Sequence, residues 1–275
     1  MNELSIQKDW VYRAPETRKV ERIEAYFSNH GYDPHRHDTY AIGRTLSGVQ
    51  SFHYRGEMQH SLPGNTMVLY PDEIHDGEAG TNAGFHYRMV YIEPAMIQSI
   101  IRGKPLPFIK NGVTTDVRLF RATSILLQSM DCKIEPMEED DALYDLAISL
   151  IEASGVEVKR KKNFDYDAAE RAREYIHANL DKNITLDELE RNTNRDRWSL
   201  SRDFRLLFGT SPHRYMTMRR LDIAKSCLIV GESITDAALI SGFFDQSHMA
   251  RHFTKTFGLT PAHWRDIHRV KYYKK

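Results

Sequence analysis

The sequence predicts an α+β protein of two domains. The first is a β-sandwich or small barrel with trailing helices, and the second is all helical. Three observations carry this. Short alternating runs broken by Gly, Pro and Asp fill residues 20–95. From about residue 94 the apolar residues recur at three- and four-residue steps. The stretch 186–212 then returns, one residue longer, at 234–261.

The strand region reads "AIGRTLSGVQSFHYRGEMQHSLPGNTMVLYPDEIH", with turns expected at "LSG", "YRG", "LPGN" and "GTNAG". "EPAMIQSIIRG" opens the helical pattern, with apolar residues at 96, 97, 100 and 101. "DVRLFRATSILLQSM" (116–130) and "DALYDLAISLIEAS" (141–154) continue it. Their stripes, Leu119, Ile125, Leu126, Leu143, Leu146 and Leu150, would bury against the barrel or against a second subunit. "GVEVKRKKNFD" is polar, basic and aperiodic, and reads as a linker. The expected domains are 1–155 and 165–275, joined by 156–164.

In the helical part Leu186 corresponds to Ile234, Asn194 to Gly242, Arg202 to Arg251 and Phe204 to Phe253. Phe208-Gly209 corresponds to Phe257-Gly258, and the extra residue of the second copy falls in the turn. Each copy is a short helix, a turn, a second helix and a Gly C-cap with Pro three residues on. A longer helix, about 213–229, joins them.

A tandem helix-turn-helix is a DNA-reading arrangement, because the second helix of each unit fits the major groove. In "GFFDQSHMARHF", Asp245 is a candidate helix start. Met249, Phe253 and Phe257 then form an inward stripe, and Gln246, Ser247, Ala250, Arg251 and Thr254 point outward. Arg reads guanine bidentately and Gln reads adenine. His248 adds a base or phosphate contact. In copy one Leu200, Phe204 and Phe208 face inward, and Trp198, Ser201, Arg202 and Arg205 face out. Arg195, Arg214 and Lys255 are candidate phosphate contacts.

Composition is compatible with this. The 275 residues are 41% hydrophobic and 28% charged, as in ordinary globular proteins. The net charge is zero, but residues 1–162 carry 19 Lys and Arg against 23 Asp and Glu, and residues 163–275 carry 19 against 15. Cys132 and Cys227 match no ligand spacing and are expected as free thiols. No apolar N-terminal segment marks a signal peptide, and no run approaches the ~18 residues that cross a bilayer. A cytoplasmic protein without membrane association is expected.

"RWSLSRDFRLLFGTSPHRYMTMRRLDIAKSCL" and "ISGFFDQSHMARHFTKTFGLTPAHWRD" closely resemble the AraC family of bacterial transcription regulators, over about 166–267. The resemblance implies that Trp198, Ser201 and Arg202 hold base-reading positions of the first unit. Gln246, Ser247, His248, Ala250 and Arg251 hold those of the second. Glu190 departs from the pattern, standing where a small residue usually packs; Ala238 holds that place in copy two.

In the N-terminal domain "PHRHDTYAIGRTLSG" puts His35 and His37 on one face of a strand. "LPGNTMVLYPDEIHDG", ending near His75, resembles the double-stranded β-helix, or cupin, sensor domain of many AraC-type regulators, over roughly 20–95. A cupin metal set would add an acid that is missing here, since Asp38 lies too close. Three readings of the histidines stand: metal ligands, lining of an effector pocket with Tyr40, Arg44 and Tyr87, or structural groups holding turns. The pocket reading is preferred, with no metal and no cofactor expected. The expected partners are double-stranded DNA, a small-molecule effector of unidentified class, a second copy in a homodimer, and RNA polymerase if the protein activates. The rival reading is a metal-dependent cupin enzyme with a helical accessory domain.

Overall fold

The computed structural model describes residues 8–155 and 164–269, and the chain divides into two compact units, Met1–Lys161 and Lys162–Lys275. The linker expected at 156–164 lies, apart from residue 164, outside the described residues.

Among the described residues the first unit holds ten strands: β1 (Trp10–Arg13), β2 (Val20–Phe27), β3 (His30–His35), β4 (Tyr40–Gly48), β5 (Gln50–Tyr54), β6 (Glu57–Ser61), β7 (Thr66–Leu69), β8 (His75–Ala79), β9 (Phe85–Ile92) and β10 (Val113–Thr114). They form a six-stranded sheet, β1-β2-β9-β4-β7-β10, and a four-stranded sheet, β3-β8-β5-β6. The expected barrel is therefore not closed; two separate sheets face each other across one core. Ile23, Ala25 and Phe27 of the large sheet meet Phe52 and Tyr54 of the small one there, together with Met67, Phe85, Tyr87 and Met89. The β5–β6 hairpin follows directly from "YRGE". Arg55 and Gly56 both take positive φ, 54° and 85°, the two-residue turn whose twist matches antiparallel strands.

The other face of the large sheet is covered by α1 (Pro94–Ile101), α2 (Val117–Leu127) and α3 (Pro136–Ala153). Tyr40, Ile42, Val68, Val90 and Ile92 pack there against Ile97, Leu119, Leu126, Leu143, Leu146 and Leu150. Five of the six stripe residues are thus core within the chain, each contributing ~1.5–3 kcal/mol by burial, whereas Ile125 is exposed. α3 begins five residues before the predicted 141. Pro136 sits in its first turn with Glu138 and Glu139, which suit the positive end of the helix dipole. α2 has no glycine cap. Two arginines from the sheet serve instead: Arg22 donates to the carbonyls of Leu126, Ser129 and Cys132, and Arg88 donates to Leu127 O at 2.8 Å.

The second unit is all helical among the described residues: α4 (Tyr166–Ala178), α5 (Leu186–Thr193), α6 (Arg197–Phe208), α7 (Pro212–Val230), α8 (Ile234–Ile240), α9 (Gln246–Phe257) and α10 (Pro261–Arg269). The duplicated unit is α5–α6 and α8–α9, joined by α7. Both turns pass through a left-handed residue at the predicted equivalent positions, Asn194 (φ 53°) and Gly242 (φ 79°). Glu190 is turned outward and pairs with Arg197 at 3.1 Å, whereas Ala238 is fully buried. No helix among the described residues is long and apolar enough to cross a membrane.

Candidate nucleic-acid interface and ligand cavity

α9 begins and ends where the sequence places it. The Asp245 carboxylate accepts from the His248 N–H at 2.7 Å, and Gly258 (φ 70°) closes the helix. α6 repeats this with Asp196, which accepts from Ser199 N–H at 3.0 Å, and with Gly209. Those backbone N–H groups hold the Asp196 carboxyl below its usual range. Met249 and Phe253 are buried in a cluster with Leu221, Ala224, Phe243 and Trp264, with Phe257 packed partly against it. Leu200, Phe204 and Phe208 are buried in the same way. Both recognition candidates are thus pinned by one apolar stripe, which fixes what the opposite face presents.

On that opposite face of α9, Gln246, Ser247, Arg251 and Lys255 are exposed and Ala250 is half-buried. Gln246 Oε1 accepts from Thr235 Oγ1 at 2.8 Å, tying α9 to α8; a second oxygen lone pair and both amide hydrogens remain in its inventory. His248 turns toward the protein. It is half-buried, edge-on to Phe243, and its Nε2 lies 3.1 Å from that of His252. On α6, Trp198 is 76% exposed. Arg205 donates to Ser201 Oγ at 2.5 Å, so these two act as a pair one turn apart.

Arg202 and Arg195 share one buried carboxylate. Asp203 is inaccessible; one oxygen accepts from Arg195 at 2.6 Å and from the Asp165 N–H at 3.1 Å, and the other accepts from Arg202 at 3.2 Å. Arg202 keeps 58% of its side chain exposed, so it is oriented rather than consumed. Arg195, a candidate phosphate contact, is ion-paired with Asp203 and keeps 25% of its side chain exposed. Arg214 is half-buried on α7. Phe244, in the turn beside the cap of α9, belongs to neither stripe and is 86% exposed.

In the first unit His35, His37 and His75 come together. Ring centroids lie 4.4 Å apart for His35–His75, 4.8 Å for His37–His75 and 6.1 Å for His35–His37. His37 lies in the β3–β4 connection, beyond the strand expected to carry it. Burial pushes the His35 imidazole down, and pushes His75 well down with help from its two histidine neighbours. Tyr87 is fully buried between the sheets and shares a 2.7 Å hydrogen bond with Tyr32. Tyr91 stands edge-on to His37 at 5.4 Å. The period of two along β9 puts Tyr91 on the face of Tyr87 and could have found it. A cavity of about 590 Å³ is lined by His75 with Arg36, His53, Arg55, Glu73 and Asp76.

Tyr40 and Arg44 do not join this group. Both lie on the opposite face of the large sheet: the Tyr40 hydroxyl donates to Pro107 O at 2.7 Å, and Arg44 lies over the Phe120 ring and donates to Ser124 at 2.6 Å. Their expected place in the pocket is corrected. β4 is buried on both faces, so its alternation carries no polar-apolar signal to show which side is which.

A sensor-like double sheet followed by a duplicated helix-turn-helix defines a ligand-responsive DNA-binding regulator. An AraC-like ligand binding domain matches residues 19–151, and a helix-turn-helix domain matches residues 189–267. The chain belongs to the AraC family of transcription regulators. It is 27% identical over 227 residues to the uncharacterized HTH-type transcriptional regulator YbfI of Bacillus subtilis, covering 78% of this chain and 80% of that protein. Over 95 residues it is 34% identical to the "Probable transcription factor PqrA" of Proteus vulgaris, covering 34% of this chain and 78% of that protein. The fold is that of ToxT from Vibrio cholerae, with a TM-score of 0.65 at 12% identity, covering 91% of this chain and 99% of ToxT.

Proposed function

We propose that α6 and α9 are the base-reading elements of this AraC-type regulator. Trp198, Ser201, Arg202 and Arg205 act in the first unit, and Gln246, Ser247, Ala250, Arg251 and Lys255 in the second, with His248 at the margin. The observation that carries this is the repetition. Two helices, each capped by an aspartate and pinned by a buried stripe, present an arginine two positions before the same buried phenylalanine. Two independent readers in one chain favour a bipartite operator in double-stranded DNA. We assign residues 1–155 to effector sensing and 165–275 to DNA binding. We place the effector at the cavity of the first unit, which His75 lines; His35 and His37 stand against His75, and Tyr87, buried between the sheets, is the further residue assigned to effector sensing.

An effector acts only through different affinities for two states. A homodimer supplies such states. Val117 and Ile125 on α2 and Met137 and Tyr144 on α3 are exposed apolar residues that a second copy would cover. In an activator, RNA polymerase would be the further partner. The relatives are transcription regulators, which supports a non-enzymatic, cytoplasmic role. The test is selection of a randomised duplex library on the full-length chain. Enrichment of a two-part motif is expected; a library with no sequence preference after repeated rounds would overturn the assignment.

A further inference from the structure

We propose that His35, His37 and His75 form a binding site for one divalent first-row transition metal ion. Each histidine offers a ring nitrogen, and these three nitrogens lie within 4.8 Å of one another. An ion with metal–nitrogen bonds of ~2.0–2.1 Å spaces its donors about 3 Å apart, so modest ring rotations close the set.

The hydrogen bonds decide which nitrogens are left to ligate. His35 Nδ1 lies 2.8 Å from Asp33 O, His37 Nδ1 lies 2.9 Å from Thr39 O, and His75 Nδ1 lies 3.0 Å from Glu73 O. A carbonyl oxygen only accepts, so each Nδ1 carries the proton. In the neutral ring the lone pair is then on Nε2. Donation of one ring N–H to a main-chain carbonyl is how ligating histidines are fixed in tautomer and orientation. Here that device occurs three times around one point.

A turn-holding role accounts for each carbonyl bond singly, but it does not require the three rings to converge. The all-imidazole set selects zinc, nickel, copper or iron over calcium and magnesium. Three protein donors leave at least one coordination position, as in open zinc sites. His75 also lines the 590 Å³ cavity, so a ligand there could reach that position through an oxygen or nitrogen donor.

The test is a Zn²⁺ titration of the full-length chain, stripped with EDTA and dialysed, in competition with a chromophoric chelator. One Zn²⁺ per chain is expected. His37→Gln and His75→Gln should each weaken it by more than the ~10–100-fold typical of losing an outer-shell partner. His60→Gln, at an exposed residue of β6 hydrogen-bonded to Ser51, should leave it unchanged. Circular dichroism checks each fold. If the buried His75 variant fails to fold, the half-buried His35→Gln and His37→Gln variants decide. Failure to bind stoichiometric Zn²⁺, or equal binding by those variants, overturns the site. Since the readout is metal occupancy, the result is independent of DNA recognition.

Discussion

Gly242→Ala is the sharpest perturbation of the second DNA-reading unit. Gly242 has φ 79°, where a side chain costs ~1–2 kcal/mol. An added Cβ would also lie 2.4 Å from Leu180 O, 3.1 Å from Arg220 Nε and 3.3 Å from Asp181 Cα. Two of these are backbone atoms. The third belongs to a buried arginine whose Nε donates to that same Leu180 O at 2.8 Å, so it has little room to retreat. Overpacking of this kind adds ~1–3 kcal/mol, for a total of about 2–5 kcal/mol. Two units make global unfolding a poor reporter. Amide exchange followed by mass spectrometry on the full chain reads the local opening directly. Exchange in α8 and α9 should accelerate by roughly 30-fold to several thousand-fold, at tenfold per ~1.4 kcal/mol, with β4 and β9 unchanged. Asn194→Gly at the equivalent turn should alter exchange little, because glycine takes the left-handed conformation freely. Acceleration below about fivefold in Gly242→Ala would refute the turn geometry.

Three further outcomes follow from the same structure. Asp203→Ala removes the carboxylate shared by Arg195, Arg202 and the Asp165 N–H; breaking a buried pair costs ~3–5 kcal/mol, and partial exposure of both arginines lowers this to about 2–4, measurable as faster exchange in α4–α6. Arg22→Met strips one carbonyl at the end of α2 and two in the segment after it of their donor and should cost ~2–4 kcal/mol, read by amide exchange in α2. The Asp196 cap contributes stability above its unfolded pKa, and that contribution is lost as pH falls through its depressed folded value. The difference between the parent and Asp196→Ala in the local opening free energy of α6, read by amide exchange, should therefore shrink from pH 7 toward pH 3; a constant difference would contradict the cap.

The duplicated helices were legible because their information is local. Asp245, Gly258 and the Met249–Phe253 spacing fix α9 within a single stretch of chain, and α6 repeats the pattern. The strands were legible as strands but not as sheets. Whether β1 to β10 close a barrel depends on pairings between distant segments, such as β2 with β9 and β4 with β7, which no local pattern records. The same limit misplaced Tyr40 and Arg44, on a strand buried on both sides. The Arg195–Asp203 pair was not legible, because Asp203 lies on the inward face of the next helix, eight residues on. The histidine cluster was legible as a set only through the resemblance to the cupin domain. His35 and His37 share a motif, but His75 joins them only through the β3–β8 pairing, which sets His35 opposite His75.

The central claim is that α6 and α9 read bases. The direct measurement is fluorescence anisotropy of the full-length chain on its selected duplex and on every single-base variant of it, over a salt series, for the parent, Arg202→Ala and Arg251→Ala. Each substitution should cost ~1–3 kcal/mol on the preferred duplex and abolish discrimination at one base pair, the two falling in different halves of the motif. Uniform weakening on all duplexes, with a reduced salt slope and intact base preference, would make both arginines phosphate contacts and contradict the account.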